Sequence, residues 1–228
     1  HIYDLTVGYA SDSSLSGTSN VEMQAKKINI YNQMAQVLVG YDDNGNIRNF
    51  DEDGNIADGG TKLKECIFIN VARLLAKDEI KKGSFSMKLG VADYELPHED
   101  QLTISDAGKE NDYRVNSPAG EYAILSATAG YNSEIPLAPA VGLIFYQAGV
   151  VVLSGSVFTS GSATFTGGVL TASVQYRPNL TYFSASLSGS AISSSCNYLR
   201  HRITDISFNN TTELNSTIHF CRVNHNDF

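Results

Sequence analysis

The sequence predicts an α+β fold that is mainly β, built from antiparallel hairpins and a meander with one helix near its start. Short runs of alternating apolar and polar residues recur along the chain, as they do in half-buried strands. Glycine, asparagine and aspartate residues that favour turns separate these runs. No glycine-rich turn links strands and helices in a repeating βαβ order, so a parallel sheet is not expected.

The helix is predicted over 21–39. Apolar residues recur there at helical spacing, interleaved with Gln, Lys and Asn. Ser19 or Asn20 can cap the first turn, and Gly40 ends the helix. Residues 41–60 contain Asp-Asn-Gly and Asp-Gly sequences, which tolerate positive φ, and they are predicted as a hairpin tip or mobile loop.

The predicted strands come mostly in hairpins. The run 66–75 is rich in Ile, Phe and Val, and 84–89 alternates strictly, with a charged helical turn at 77–83 between them. Residues 142–146 and 150–153 form the most apolar hairpin, so the core is placed there. The remaining predicted strands, a meander and a terminal hairpin, are 102–105, 112–115, 122–127, 203–208 and 217–223.

The chain is divided by its composition. Residues 1–153 are predicted as a core domain of helix plus β-meander, and 154–168 as a connector rich in Ser and Gly. Residues 169–228 are predicted as a smaller lobe with a second helix over 180–199 and the terminal hairpin. Gly189 and several serines weaken that helix. Because no Met begins the sequence, we expect a fragment of a longer polypeptide.

Charge limits the classes of partner. The chain of 228 residues carries 16 Lys and Arg against 24 Asp and Glu, a formal charge of −8, so no bulk attraction for nucleic acid or anionic lipid is expected. Three cysteines do not make a disulfide framework, which favours assembly in a reducing cytoplasm. The glycosylation-like motifs are therefore interpreted as polar turn and strand residues; they lie at Asn179, Asn209, Asn210 and Asn215.

Two acidic loops resemble calcium loops at first sight. They lie at 42–46 and 51–55, where carboxylates precede a glycine. In one register Asn49 takes the first ligand position and Gly60 the position that requires a bidentate Glu, and in the other Gly40 comes first. Solvated turns are therefore predicted rather than ion sites.

Soft metal ligands gather near the end of the chain. They are His219, Cys221 and His225, with Cys196 and His201 upstream. Zinc sites usually show short paired spacings such as Cys-x2-Cys, and none occurs here, so no metal is predicted. The sequence leaves open whether Cys196 and Cys221 pair.

Catalytic signatures are sparse. Cys66 lies within an apolar strand and is predicted as a core residue rather than a nucleophile. The densest titratable cluster is Glu95, His98, Glu99 and Asp100, in a loop after a proline and without a nucleophile elbow. No phosphate-binding glycine loop occurs. The sequence therefore predicts neither an enzyme nor a cofactor.

Several blocks together resemble one class of protein. They are 31–41 (YNQMAQVLVGY), 64–70 (KECIFIN), 77–85 (KDEIKKGSF), the 142–153 hairpin and 207–226 (SFNNTTELNSTIHFCRVNHN). In patches over most of the chain they resemble large virion structural proteins of contractile-tailed phages, especially those of marine cyanobacteria. The resemblance brings no catalytic motif, so no functional residue is transferred from it, and it implies a longer parent chain.

The resemblance implies a virion component assembled in the host cytoplasm, in the tail or baseplate, that acts through protein–protein contacts in a symmetric assembly. Its expected partners are other virion structural proteins, in homo- or hetero-oligomeric contacts, and neither nucleic acid nor a membrane. A head or neck protein is one alternative. The other is a host-surface glycan-binding or glycan-processing domain, in which the cluster Glu95–Asp100 and nearby tyrosines would meet a sugar.

Overall fold

The computed structural model describes residues 1–17, 21–56, 59–90, 101–129, 140–155, 191–212, 216–222 and 225. Within these residues the chain folds into a large antiparallel sheet, short peripheral strands and a few helices, which confirms the predicted α+β, mainly β class. The helices are α1 (Val21–Leu38), α2 (Arg73–Ala76) and α3 (Ile192–Arg200). The strands are β1 (Tyr3–Tyr9), β2 (Phe50–Asp51), β3 (Lys62–Leu63), β4 (Glu65–Val71), β5 (Glu79–Ile80), β6 (Ser86–Gly90), β7 (Gln101–Ser105), β8 (Arg114–Ser117), β9 (Gly120–Ala129), β10 (Ala140–Phe145), β11 (Val150–Ser154), β12 (Ile203–Ser207) and β13 (Asn210–Thr211).

The main sheet has nine strands in the order β1–β4–β11–β10–β9–β7–β6–β12, with β8 paired to β9. Each pairing is antiparallel; Tyr3 of β1, for example, lies opposite Val71 of β4. Two small sheets join β2 to β3 and β5 to β13. Helix α3 contacts β1 and leads directly into β12, so it links the two edge strands of the main sheet.

The larger hydrophobic core lies on one face of the main sheet. Apolar side chains of β1, β4, β6, β7, β9, β10 and β11 meet there, and Leu199 of α3 joins them. Strands β4, β9, β10 and β11 also supply the second core on the opposite face. The predicted apolar hairpin 142–153 is therefore confirmed as the centre of the fold.

The second core is covered by α1 and by residues 41–56 and 59–63. Tyr31 of α1 meets Phe50 and Phe68 edge-on, with ring centroids 5.5 and 6.4 Å away. The Tyr31 hydroxyl donates a hydrogen bond to the Leu63 carbonyl at 2.7 Å and accepts the Phe50 N–H at 3.3 Å. These bonds fix the described residues of 41–63 over the sheet. The antiparallel pairing of β2 with β3 and the antiparallel bridge between Tyr41 and Ile47 agree with the predicted hairpin tip.

Helix α1 agrees with its prediction almost to the residue. It begins at Val21, and the N–H groups of Val39 and Gly40 both donate to the Ala35 carbonyl where it ends. Gly40 takes a φ of 76°, a left-handed conformation that glycine adopts without steric cost.

Several predicted elements differ from the structure. The terminal hairpin is wrong, because 203–207 pairs with β6 and residues 216–222 form no strand. The predicted strand 66–75 ends at Val71 and continues into α2, and the predicted helical turn at 77–83 contains β5 instead. Strand β1 was not predicted, although Tyr3, Leu5, Val7 and Tyr9 alternate with smaller or polar residues. Of the predicted helix 180–199, residues 180–190 lie outside the described residues.

The predicted division into domains concerns segments that are partly outside the described residues, including 156–168 of the connector. In the predicted lobe 169–228, the described α3 and β12 contribute to the main sheet and its larger core. Leu199, Ile203 and Ile206 pack on that core. This part of the lobe therefore adds to the first sheet and does not build a core of its own.

Candidate protein–protein interface

One end of the sheet carries an unusual combination of exposed leucines and acidic groups. We call this surface the α2 rim; it consists of α2, β5, β13 and the turn 146–149. The Val71 N–H donates to the Gly149 carbonyl at 2.9 Å, and the Arg73 guanidinium donates to the Gln147 carbonyl at 2.8 Å. These bonds attach the start of α2 to the β10–β11 turn, so the rim is fixed to the core hairpin.

Helix α2 turns its leucines outward. Ala76 is buried, whereas Leu74 is 88% exposed and Leu75 is also exposed. The Asn210 side-chain amide of β13 donates to the Leu75 carbonyl at 2.8 Å, so β13 is hydrogen bonded to this helix. Lys77 ends α2 with a φ of 55°, an uncommon conformation for a residue with a side chain.

A polar cleft of about 420 Å³ lies beside the leucines, lined by Asp78, Glu79, Glu121, Gln147, Thr211 and Thr212. Gln147 joins its walls: its side-chain oxygen accepts the Glu121 N–H at 2.7 Å, and its side-chain nitrogen donates to the carboxylates of Glu121 and Glu79 at 3.2 and 3.4 Å. The Thr211 hydroxyl donates to Glu79 at 3.0 Å. Four separate parts of the chain thus form one acidic surface.

Lys82 pairs with two of the carboxylates that line this cleft. Its Nζ lies 2.6 Å from a Glu121 carboxylate oxygen and 3.5 Å from one of Glu79, and 4.8 Å from the centre of the Tyr113 ring. Burial disfavours the charge, but hydrogen bonds and attraction from Glu121 and Glu79 outweigh it and raise the pKa of Lys82. Lys82 therefore stays charged and holds the two carboxylates together.

A buried carboxylate anchors the chain behind Lys82. Asp106 accepts hydrogen bonds from the N–H groups of Gly83 and Phe85, both at 2.8 Å, and from the Tyr146 hydroxyl at 2.9 Å. Burial raises the pKa of Asp106 although these three donors favour its charged form. The Tyr146 N–H donates to the Glu121 carbonyl, and the Tyr146 carbonyl accepts the Ile80 N–H. This network therefore connects the cleft to the core.

The segment 216–222 is the second apolar surface of interest. It follows β13 after four intervening residues, it has no turn or bend, and each of its residues is exposed. Ile218 is 74% and Phe220 is 93% exposed. Isolated exposed apolar residues are ordinary, but a phenylalanine and an isoleucine two positions apart form a small apolar stripe that a partner can cover.

The two calcium-like loops use their carboxylates internally. Asp42 accepts the N–H groups of Asn44 and Asn46 at 2.9 and 2.7 Å, and the hydrogen bonds from Asn46 lower its pKa. Asp51 is fully buried, accepts the Asp53 N–H at 3.0 Å and pairs with Lys62. The first loop is an exposed turn, as predicted, whereas the burial of Asp51 and its pairing with Lys62 differ from the predicted solvated turn.

The soft ligands do not come together. Cys196 donates from α3 to the Leu5 carbonyl at 3.3 Å, while His219, Cys221 and His225 are exposed. In the described part of the chain no three His, Cys, Asp or Glu residues are placed to hold one metal ion. All three cysteines are unpaired.

Cys66 is buried in β4, where its thiol donates to the Leu63 carbonyl at 3.5 Å, and burial raises its pKa. It is a core residue, as its apolar neighbours predict. The cluster Glu95, His98, Glu99 and Asp100 lies outside the described residues, as do Asn179 and Asn215. Among the described residues, no helix is both long and apolar enough to cross a membrane.

Sequence reasoning missed the α2 rim. The sequence predicts its leucines within the strand 66–75 and residues 77–83 as a charged helical turn. Adjacent leucines followed by a charged run are a weak signal, because Leu74 and Leu75 fit either a strand or a short helix equally well. Comparisons of the chain with protein-family models, curated proteins and solved structures give no match.

Proposed function

We propose that this chain is a structural component of a phage virion, in the tail or baseplate, and that it acts through protein–protein contacts in a symmetric assembly. A place in the head or neck is the alternative within the same class. The observation that carries the proposal is the exposure of Ile218 and Phe220 in an unpaired segment, together with the exposed leucines of α2.

The contrast with the rest of the fold supports a role in contacts. Both hydrophobic cores consist of buried side chains, and strands β4, β9, β10 and β11 contribute to both of them. Large apolar side chains left in water at Leu74 and Phe220 therefore do nothing for the isolated fold. Apolar side chains at the centre of an interface, with polar groups at its edge, are typical of protein–protein contacts.

The virion assignment rests on the resemblance of the sequence blocks. Two of the five blocks meet at the α2 rim: 77–85 contains β5 and Lys82, and 207–226 contains β13 and the 216–222 segment. The exposed residues of the two blocks include Lys77, Lys81 and segment 216–222, whereas Ile80 and Phe85 of the first block are buried in the larger core. The glycan hypothesis has no comparable support, because its cluster at 95–100 lies outside the described residues.

Mass spectrometry of purified particles, combined with chemical crosslinking, tests the proposal. We expect peptides of this chain in particles, with crosslinks from the exposed lysines beside the α2 rim, Lys77 and Lys81, to tail or baseplate proteins. Lys62 and Lys64, which lie on β3 and at its end, provide the comparison for lysines outside the rim. Crosslinks to head or neck proteins would select the alternative, and absence of the chain from washed particles would refute a virion role.

A further inference from the structure

We infer that the Asn44–Gly45 peptide unit is a modification site, at which the folded chain deamidates spontaneously and converts Asn44 to aspartate and isoaspartate. The inference goes beyond the proposed function and does not depend on it, because the reaction needs only water and groups of this chain.

The exposed turn 42–46 holds the two reacting groups side by side. Asn44 and Gly45 are exposed, and among the described residues none forms a hydrogen bond with the Asn44 side chain. A Cβ atom built on Gly45 would meet nothing within 4 Å, so no neighbouring group covers this nitrogen. Asn44 is also the one asparagine of the sequence that precedes a glycine. The Gly45 nitrogen is therefore the least hindered backbone nucleophile that follows an asparagine in this chain.

Asp42 closes the turn with hydrogen bonds that open at low cost. Its carbonyl accepts the Gly45 N–H at 3.0 Å, and its carboxylate accepts the N–H groups of Asn44 and Asn46 at 2.9 and 2.7 Å. Backbone hydrogen bonds in an exposed turn break by local opening, without unfolding of the core. The Gly45 nitrogen thus becomes available for reaction in the folded protein.

The reaction is an intramolecular acyl transfer followed by hydrolysis. The Gly45 nitrogen loses its proton and attacks the side-chain carbonyl carbon of Asn44, and the new C–N bond closes a succinimide ring. The amide nitrogen of Asn44 takes up a proton and leaves as ammonia. Water then opens the ring at either of its carbonyl groups, which gives aspartate or isoaspartate at position 44. Nothing is oxidised or reduced.

The second loop contains a similar sequence, Asp53–Gly54, that the fold restrains. Gly54 is buried, and its carbonyl accepts the Tyr122 hydroxyl at 2.9 Å. The Asp53 carbonyl accepts the Arg114 guanidinium at 3.1 Å. Asp53 is also ionised at neutral pH, and a carboxylate is a weaker electrophile than the amide of Asn44. We therefore expect isoaspartate at position 44 and far less of it at position 53.

Deamidation changes the charge and the shape of this surface. Asn44 lines a cleft of about 360 Å³ together with Asp42 and Asp43. A carboxylate at position 44 adds a third acidic group there and makes the formal charge of −8 more negative by one. Isoaspartate also lengthens the main chain by a methylene group, inside the antiparallel bridge that joins Tyr41 to Ile47. The reaction therefore alters the turn and leaves the two cores unchanged.

Peptide mapping by mass spectrometry, on the folded chain kept at slightly alkaline pH, tests the inference. Methylation by a protein isoaspartate methyltransferase provides an independent readout. We expect conversion of Asn44 at least about tenfold faster than that of Asn46, which belongs to the same turn and precedes an isoleucine. Gly45→Ala should slow the conversion of Asn44 at least about tenfold, because a Cβ atom crowds the attacking nitrogen.

Gly108→Ala is the matched control. Gly108 has a φ of 78° against 82° for Gly45, and a Cβ atom at either position meets nothing within 4 Å. An alanine precedes Gly108, so this variant carries the same backbone strain and should convert Asn44 at the rate of the parent chain. A parent chain that shows no conversion, equal rates at Asn44 and Asn46, or a Gly45→Ala variant that converts as fast as Gly108→Ala would overturn the inference.

Discussion

Replacing Gly8 by alanine tests the closest contact between the sheet and α1. Gly8 lies in β1, and a Cβ atom built on it would lie 2.7 Å from the Lys27 carbonyl oxygen and 2.8 Å from the Tyr31 nitrogen. Both atoms belong to the backbone of α1, so no side-chain rotation relieves the clash. The helix must move by about 0.7 Å to restore ordinary contact at 3.4 Å.

The expected cost combines two opposing effects. Overpacking of a well-packed contact costs about 1–3 kcal/mol, while replacing a glycine without positive φ stabilises by about 0.4–1 kcal/mol through the unfolded state. The free energy of unfolding should therefore fall by about 1–2 kcal/mol. In a chain of this size that corresponds to a fall in Tm of roughly 2–8 °C.

Differential scanning fluorimetry and urea unfolding measure this change. Gly59→Ala is the matched control, because a Cβ there meets nothing within 4 Å and its φ is not positive. The control should be neutral or slightly more stable than the parent. Equal Tm values for the Gly8 and Gly59 variants would refute the close approach of α1 to β1.

Three further substitutions probe buried polar groups. Tyr31→Phe removes a buried hydroxyl with two backbone partners and should lower the free energy of unfolding, measured in urea, by about 1–3 kcal/mol. Tyr41→Phe is the control at an exposed ring and should change that free energy by less than about 0.5 kcal/mol. Lys82→Met leaves the carboxylates of Glu79 and Glu121 facing each other and should lower the free energy of unfolding by about 1–2 kcal/mol. Adding Glu121→Gln to the same chain should restore part of that loss, and no restoration would contradict the ion pair. Asp106→Asn tests pH dependence. The raised pKa of Asp106 gives stability that is complete below its unfolded pKa and is lost as the pH rises through its folded pKa. The advantage of the parent over this variant in urea midpoint should therefore shrink as the pH rises above the ordinary pKa of an aspartate, and a constant difference would show that the pKa is not raised.

Local pattern was sufficient for elements whose partners are near in sequence. Helix α1 follows from its spacing and Gly40, and the β10–β11 hairpin follows from two apolar runs around a short turn. Strand β12 was also predicted, but with the wrong partner. Alternation tells which face of a strand is apolar, and it carries no information on which distant strand completes the hydrogen bonds.

The candidate interface could not be predicted from local pattern either, because its residues are distant from one another in the sequence. Glu79, Glu121, Gln147 and Thr211 come from four distant parts of the chain and meet only after the sheet has formed. No periodicity within a short window relates them. Strand β1 is different, since the alternation of Tyr3, Leu5, Val7 and Tyr9 is a local signal that a stricter search at period two would have detected.

The pairing of β6 with β12 has a consequence for synthesis of the protein. The Thr204 hydroxyl bonds to the Lys88 carbonyl across 116 residues, and the Cys196 thiol reaches the Leu5 carbonyl across 191. At translation rates of about 5–20 residues per second, the nascent chain exposes an open strand edge at β6 for on the order of ten seconds. Contacts of such long range make folding slow, and any chain cut before residue 203 keeps a sheet edge on which a neighbouring polypeptide can aggregate.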